Sequence, residues 1–131
     1  ELLSAGAIEQ RPRCFGVQAS ACAPLAQAWE RGASEVEPVE EGETVAGGVR
    51  IAAPPWGREV LAAVRDTGGA IVAVSDEETV STQEGLARKG FYVEPTSALP
   101  IAALEHLRDR LRHSPVVVLT GSGFKSPPKV G

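Results

Sequence analysis

The run Ala70-Ile71-Val72-Ala73-Val74 constrains this chain more than any other feature. An extended strand there is apolar on both faces, and such a strand is stable only where both sides of its sheet are covered. Ser75-Asp76-Glu77-Glu78 follows directly. Ser with Glu three residues later is the capping-box pattern, and the acids fall at the positive end of a helix dipole. A doubly buried strand running straight into a capped helix points to strand–helix–strand units and a parallel sheet.

The flanking sequence repeats the theme. Arg13 to Ala19 is predicted as a buried strand bounded by Pro12 and Ser20. Ser20 is the expected N-cap of a helix through Leu25, Ala26 and Trp29 that stops near Gly32. A second helix is expected after Pro54-Pro55, with Val60, Leu61 and Val64 on one face, ending at Gly68-Gly69. The helix capped at Ser75 should run through Val80, Gln83 and Ala87 to Gly90. Phe91 to Val93 is predicted as a short strand, and Pro95 opens a long helix with Ala103, Leu104, Leu107 and Leu111 inward. Pro100, in its early turns, predicts a slight bend. Pro115 to Thr120 is the last expected strand, before Gly121-Ser122-Gly123-Phe124-Lys125. The resulting expectation is a three-layer α/β/α arrangement around a mostly parallel sheet of four strands, with four helices and a helical scrap at the start. Residues 1–131 are read as a single α/β domain, the length being suited to one.

Composition narrows the function. The net charge of −4 argues against a duplex nucleic-acid binder, whose affinity rests largely on neutralising phosphates. No apolar run approaches the roughly 20 residues that span a bilayer, and no partner membrane is expected. Glu1 to Gln10 shows no secretory signal, so a cytoplasmic setting is the default expectation. The chain has no Met and opens Glu1-Leu2-Leu3, as if it continued a longer polypeptide. Cys14 and Cys22 match neither zinc nor redox spacing and read as small apolar side chains; no metal site is expected. His106 and His113 read as surface histidines, and the glutamates at 35, 37, 40, 41 and 43 as a solvated connection.

Ligands of open parallel sheets sit beyond the carboxyl ends of strands. Three segments qualify by position: Thr120 to Gly123, Glu94 to Ala98, and the small-residue stretch Thr44 to Gly48. A phosphate-loop reading of Gly121 to Ser126 fails, because Phe124 rather than Gly precedes Lys125, and Pro127-Pro128 forbids the helix that motif requires.

Taken in order, five segments resemble one family. They are Gly16 to Ala19 with Ala23-Pro24-Leu25; Glu43 to Arg50; Ala73 to Glu78; Val93 to Ala98; and Val118 to Lys125. Together they resemble the C-terminal part of threonine synthase, a fold-type-II pyridoxal-phosphate enzyme. The resemblance implies that the chain is the C-terminal portion of the larger cofactor-binding domain. The upstream half would be absent, and with it the Schiff-base lysine, the substrate loop and the phosphate cup. Lys89, Lys125 and Lys129 are the only lysines, and none has the context of that lysine, so no catalytic residue is assigned. The intact parent is expected to use pyridoxal 5′-phosphate on a small amino-acid substrate, O-phosphohomoserine, giving threonine. The isolated chain is expected to be catalytically incomplete and not to bind the cofactor. Its expected partners are the missing N-terminal half and further copies in a homo-oligomer.

By the same resemblance, Thr120 faces the pyridine nitrogen with Gly121 beside it. Thr44, Ala46, Gly47 and Gly48 pass along the ring edge, and Glu94 lines the pocket. Gly47 and Ser122 stand where the family often carries Ser or Asp, and His, which leaves the substrate open. A serine or threonine dehydratase and a β-replacement enzyme are therefore alternatives within the class. A non-catalytic α/β binding or interaction module is the alternative outside it.

Overall fold

The computed structural model describes residues 1–112 and 114–125. Its centre is a parallel pair of strands, β1 (Phe15–Ala19) and β2 (Ala70–Val74), with Phe15 opposite Ala70 and Ala19 opposite Val74. The helices are α1 (Pro24–Glu30), α2 (Gly57–Asp66), α3 (Asp76–Arg88) and α4 (Pro95–Leu107).

Alternation along the strands divides the core into the expected three layers. Ala19, Ala70 and Val74, with Val17 and Val72, pack against Leu99, Ala103 and Leu107 of α4. On the other face Ile71 and Ala73 meet Ala26 and Ala28 of α1 and Leu61 and Val64 of α2. Helix α3 flanks α4. The apolar run 70–74 is thus covered on both sides, as a strand of that composition requires.

The capping box at Ser75 forms as predicted. Glu78 N donates to Ser75 Oγ at 3.2 Å, and Ser75 N donates to Glu78 Oε2 at 2.9 Å. Beyond the end of α3, Gly90 takes φ +89°, a conformation that costs Gly little.

The start of α1 departs from the sequence reading. Ser20–Cys22 form a single 3-10 turn with no side-chain cap, and the α-helix begins at Pro24. Its free N–H groups are satisfied from the sheet: the Gln18 side-chain carbonyl accepts from Leu25 N at 2.8 Å and Ala26 N at 3.0 Å. A strand residue can do this because the chain folds back on itself between β1 and α1.

Two expected strands are not strands. Phe91–Val93 is reduced to one antiparallel bridge, Val93 with Ser122. Pro115–Thr120 joins no sheet. The reason is pairing rather than composition, since a strand exists through hydrogen bonds to a neighbour. A groove of about 800 Å³, lined by Phe15, Val17, Leu104, Leu107 and residues 114–118, separates that segment from the outer edge of β1. Val116 is 94% exposed and Val118 72%.

Cys22 is buried as expected, but Cys14 is exposed. Helix α4 ends at Leu107, and Leu111 packs on the core after a 3-10 turn at Arg108–Arg110. Glu35, Glu37 and Glu41 are exposed and pair with Arg58, Arg31 and Arg50, contacts that add little stability. His113, Lys129 and the Ser126–Pro128 stretch lie outside the described residues. Among the described residues no helix is long and apolar enough to cross a membrane.

Candidate functional site

Two of the three segments singled out in the sequence converge on the third, the first turn of α4. Pro95 starts that helix because its fixed φ suits the first position and its missing N–H has no intrahelical acceptor there. The turn then places Ser97, which is fully buried, behind the chain at Thr120 and Gly121. Gly121 N donates to Ser97 Oγ at 2.9 Å, while Ser97 Oγ lies 3.2 Å from Thr120 Oγ1 and 3.3 Å from Gly121 O. Glu94 N donates to Gly121 O at 3.1 Å, and Gly123 N to Tyr92 O at 3.0 Å, on either side of the Val93–Ser122 bridge. Gln83 Nε2 holds the Val93 carbonyl from α3 at 2.9 Å.

Glu94, Thr120 and Gly121 therefore form one cluster. The missing Cβ of Gly121 leaves the space that the Glu94 carboxylate occupies: a Cβ there would stand 1.9 Å from Glu94 Oε1. Thr120 is exposed as a residue, and its hydroxyl is backed by Ser97.

The Thr44–Gly48 segment reaches the same turn from another direction. Asp76, in the first turn of α3, accepts from Thr44 Oγ1 at 2.5 Å and from Val45 N at 3.0 Å. Thr44 Oγ1 in turn accepts from Ala46 N at 3.1 Å. Ala46 is fully buried in the cluster with Leu99 and Ala103. Gly47–Val49 then forms a 3-10 turn. A Cβ on Gly48 would meet Thr96 Oγ1 at 3.0 Å, whereas one on Gly47 would meet nothing within 4 Å. The Thr44 hydroxyl is thus engaged in holding its own loop; Gly47 faces open space, and Gly48 lets the loop close on Thr96.

Three residues that shape this arrangement are not singled out by the sequence. Thr96 and Ser97 lie within a segment that is, but a hydroxyl in a first turn reads as ordinary helix-start chemistry. Asp76 reads as a dipole-stabilising acid, and nothing local announces a partner 32 residues away.

Beside the site, Glu78 accepts from Ser75 Oγ at 2.7 Å and lies 2.6 Å from His106 Nε2 on α4. The Ser75 hydroxyl, then the Ser75 N–H, then the His106 ring favour its charged form and lower its pKa from 4.5 to about 2. His106, expected to be merely solvated, therefore ties α4 to α3. Of the described lysines, Lys89 follows the far end of α3 and Lys125 closes the 3-10 turn Gly123–Lys125.

A parallel α/β layer with glycine-bearing loops meeting at one helix start defines a class. The family model for pyridoxal-phosphate dependent enzymes matches residues 3–123, and the chain belongs to that family. Within it, the chain is 37% identical over 127 residues to a threonine synthase of Methanocaldococcus jannaschii, covering 93% of this chain and 31% of the relative. It is 36% identical over 130 residues to a threonine synthase of Methanosarcina acetivorans, covering 95% and 32%. It thus spans about a third of the length of these relatives. Among solved structures, a T.th. threonine deaminase superposes with a TM-score of 0.68 at 25% identity, over 92% of this chain and 42% of that one. Maize serine racemase, at 23% identity and TM-score 0.57 over 70% of this chain and 26% of that one, shares the fold.

Proposed function

We propose that these residues form the ring-facing part of the cofactor site of a threonine-synthase-like enzyme. The intact protein would convert O-phosphohomoserine to threonine and phosphate. One observation carries the proposal: on a chain of this family, the hydroxyl of an exposed threonine is held from behind by a buried serine, next to a glycine that admits a carboxylate.

The donor set fits the nitrogen end of pyridoxal phosphate. Thr120 offers a neutral hydroxyl, which donates to an unprotonated ring nitrogen, where a carboxylate would favour the protonated ring. Gly47 and Gly48 give a surface without side chains on which a flat ring edge can lie. Glu94 would line the pocket beside Gly121, and Ala46 would hold the glycine turn down by its burial. Thr44 would act through the loop, its hydroxyl being committed to Asp76. When bound, the cofactor supplies an electron sink, and the protein supplies orientation.

The set does not extend to covalent attachment. Neither described lysine belongs to the Thr120–Ser97–Glu94 cluster. Because the chain spans about a third of the length of its threonine synthase relatives, we read the 131 residues as one portion of a larger cofactor-binding domain. Alone it would be catalytically incomplete and would not hold the cofactor; the intact enzyme would be cytoplasmic and homo-oligomeric. Adding pyridoxal phosphate to the isolated chain, reducing with borohydride and measuring the intact mass should give no stoichiometric adduct on a single lysine.

A dehydratase is the second reading, supported by the superposition on a threonine deaminase. The natural full-length polypeptide separates the two. Phosphate release from O-phosphohomoserine with threonine formation supports the first. Ammonia and 2-oxo-acid release from threonine or serine, without the former reaction, supports the second.

A further inference from the structure

We infer that Ser97 is a positioning residue that sets the direction in which the Thr120 hydroxyl donates. This inference rests on the reading of Thr120 as the partner of a ring nitrogen.

The supply of protons decides that direction. Ser97 Oγ carries one hydrogen and accepts the Gly121 N–H at 2.9 Å, so it has one proton to give. Two acceptors are in reach: Thr120 Oγ1 at 3.2 Å and Gly121 O at 3.3 Å. Gly121 O already receives the Glu94 N–H at 3.1 Å. If Ser97 donates to Thr120, the Thr120 proton is released outward, where the chain is exposed. If Ser97 donates to Gly121 O, its remaining lone pair faces Thr120 and draws the Thr120 proton inward, away from a ligand. A bare ring nitrogen accepts and cannot donate, so it needs the Thr120 proton outward, and only the first arrangement holds it there with a hydrogen bond from behind. The result is a one-way chain from Gly121 N–H through Ser97 and Thr120 to the ligand, in which each bond polarises the next. Burial protects it, because Ser97 is fully inaccessible and water cannot replace its hydroxyl without disturbing the packed turn.

The test uses the full-length polypeptide loaded with pyridoxal 5′-phosphate carrying ¹⁵N in the ring, whose chemical shift reports hydrogen bonding and protonation at that atom. Ser97→Ala, Ser97→Cys and Thr120→Ala are compared with the unmodified protein, with amide exchange at Gly121 followed in cofactor-free preparations of the same variants. We expect Ser97→Ala to move the ring-nitrogen shift towards that of Thr120→Ala and to weaken cofactor binding about three- to tenfold. Gly121 exchange should rise by a similar factor. Ser97→Cys keeps a weak donor and near-native size, so it should move the shift in the same direction by less; it stands in if the alanine variant does not fold. If Thr120→Ala moves the shift while both Ser97 variants leave it unchanged, Ser97 does not direct Thr120, and the inference falls alone. If Thr120→Ala itself leaves the shift unchanged, Thr120 does not face the ring, and both readings fall.

Discussion

Asp76 grips the Thr44 loop with both carboxylate oxygens, taking the Thr44 hydroxyl at 2.5 Å and the Val45 N–H at 3.0 Å. The acid that helps to start α3 thereby holds the loop that carries Gly47 and Gly48. Asp76→Ala should release that loop at a cost of about 1.5–3 kcal/mol, the range for hydrogen bonds to a charged group. Thr44→Val should cost less, since the Val45 bond survives. Chemical unfolding measures the cost. Amide exchange should rise at Val45 and Ala46 in Asp76→Ala while the β1–β2 ladder stays protected; unchanged exchange at both amides would show that the loop does not depend on Asp76.

Gly121 and Gly69 separate a site effect from a folding effect. At Gly121 an added Cβ meets the end of a flexible side chain, Glu94 Oε1 at 1.9 Å, which can swing away. Gly121→Ala should therefore shift thermal unfolding by only a few degrees yet weaken cofactor binding by the full-length protein, as the Glu94 carboxylate is displaced. At Gly69 the Cβ would stand 1.7 Å from Cys14 O, a backbone atom at the entrance to β1. Gly69→Ala should cost about 3 kcal/mol, because the strand itself must shift. Similar unfolding midpoints for the two variants would contradict this contrast.

Glu78 predicts a sign for acid behaviour. Its folded pKa, about 2, lies below the ordinary 4.5, so the unfolded chain binds the proton more readily. The stabilisation is present above about pH 4.5 and is lost as pH falls through about 2. Glu78→Gln keeps an acceptor for the Ser75 N–H but does not titrate. The stability difference between the native protein and this variant should therefore shrink between about pH 5 and pH 2, and the exposure of Glu78 keeps the amplitude small. Ser75→Ala, which removes the largest cause, should move Glu78 back towards its ordinary value in a carboxylate NMR titration. A difference that stays constant with pH would contradict the assignment.

What can be read in the sequence follows from the range of the interactions. The strand 70–74, the Ser75–Glu78 box and the Gly90 stop are local patterns, and each stands where the sequence puts it. So does the three-layer arrangement, because a doubly apolar strand has few other places to go. The sequence points to Ser20 as the cap of α1 because Ser20 has the right chemistry; it has the wrong backbone geometry, and Gln18 caps the helix from a strand instead. The 115–120 segment reads as a strand because its apolar content is a property of the sequence, while its pairing depends on what stands beside it. Thr120, Gly121 and Glu94 are legible through family resemblance. Ser97 and Asp76 require coordinates, since their partners lie 23 and 32 residues away.

Turnover of Thr120→Ala in the full-length enzyme tests the central claim most directly. The side chain is small and exposed, so its truncation leaves little cavity, and thermal unfolding should change by no more than a few degrees. If its hydroxyl donates to the ring nitrogen, formation of threonine from O-phosphohomoserine should fall about two- to tenfold, and further if that bond strengthens as charge moves into the ring. Normal turnover with cofactor bound would contradict the account, leaving Thr120 and Gly121 as a structural turn anchored by Ser97.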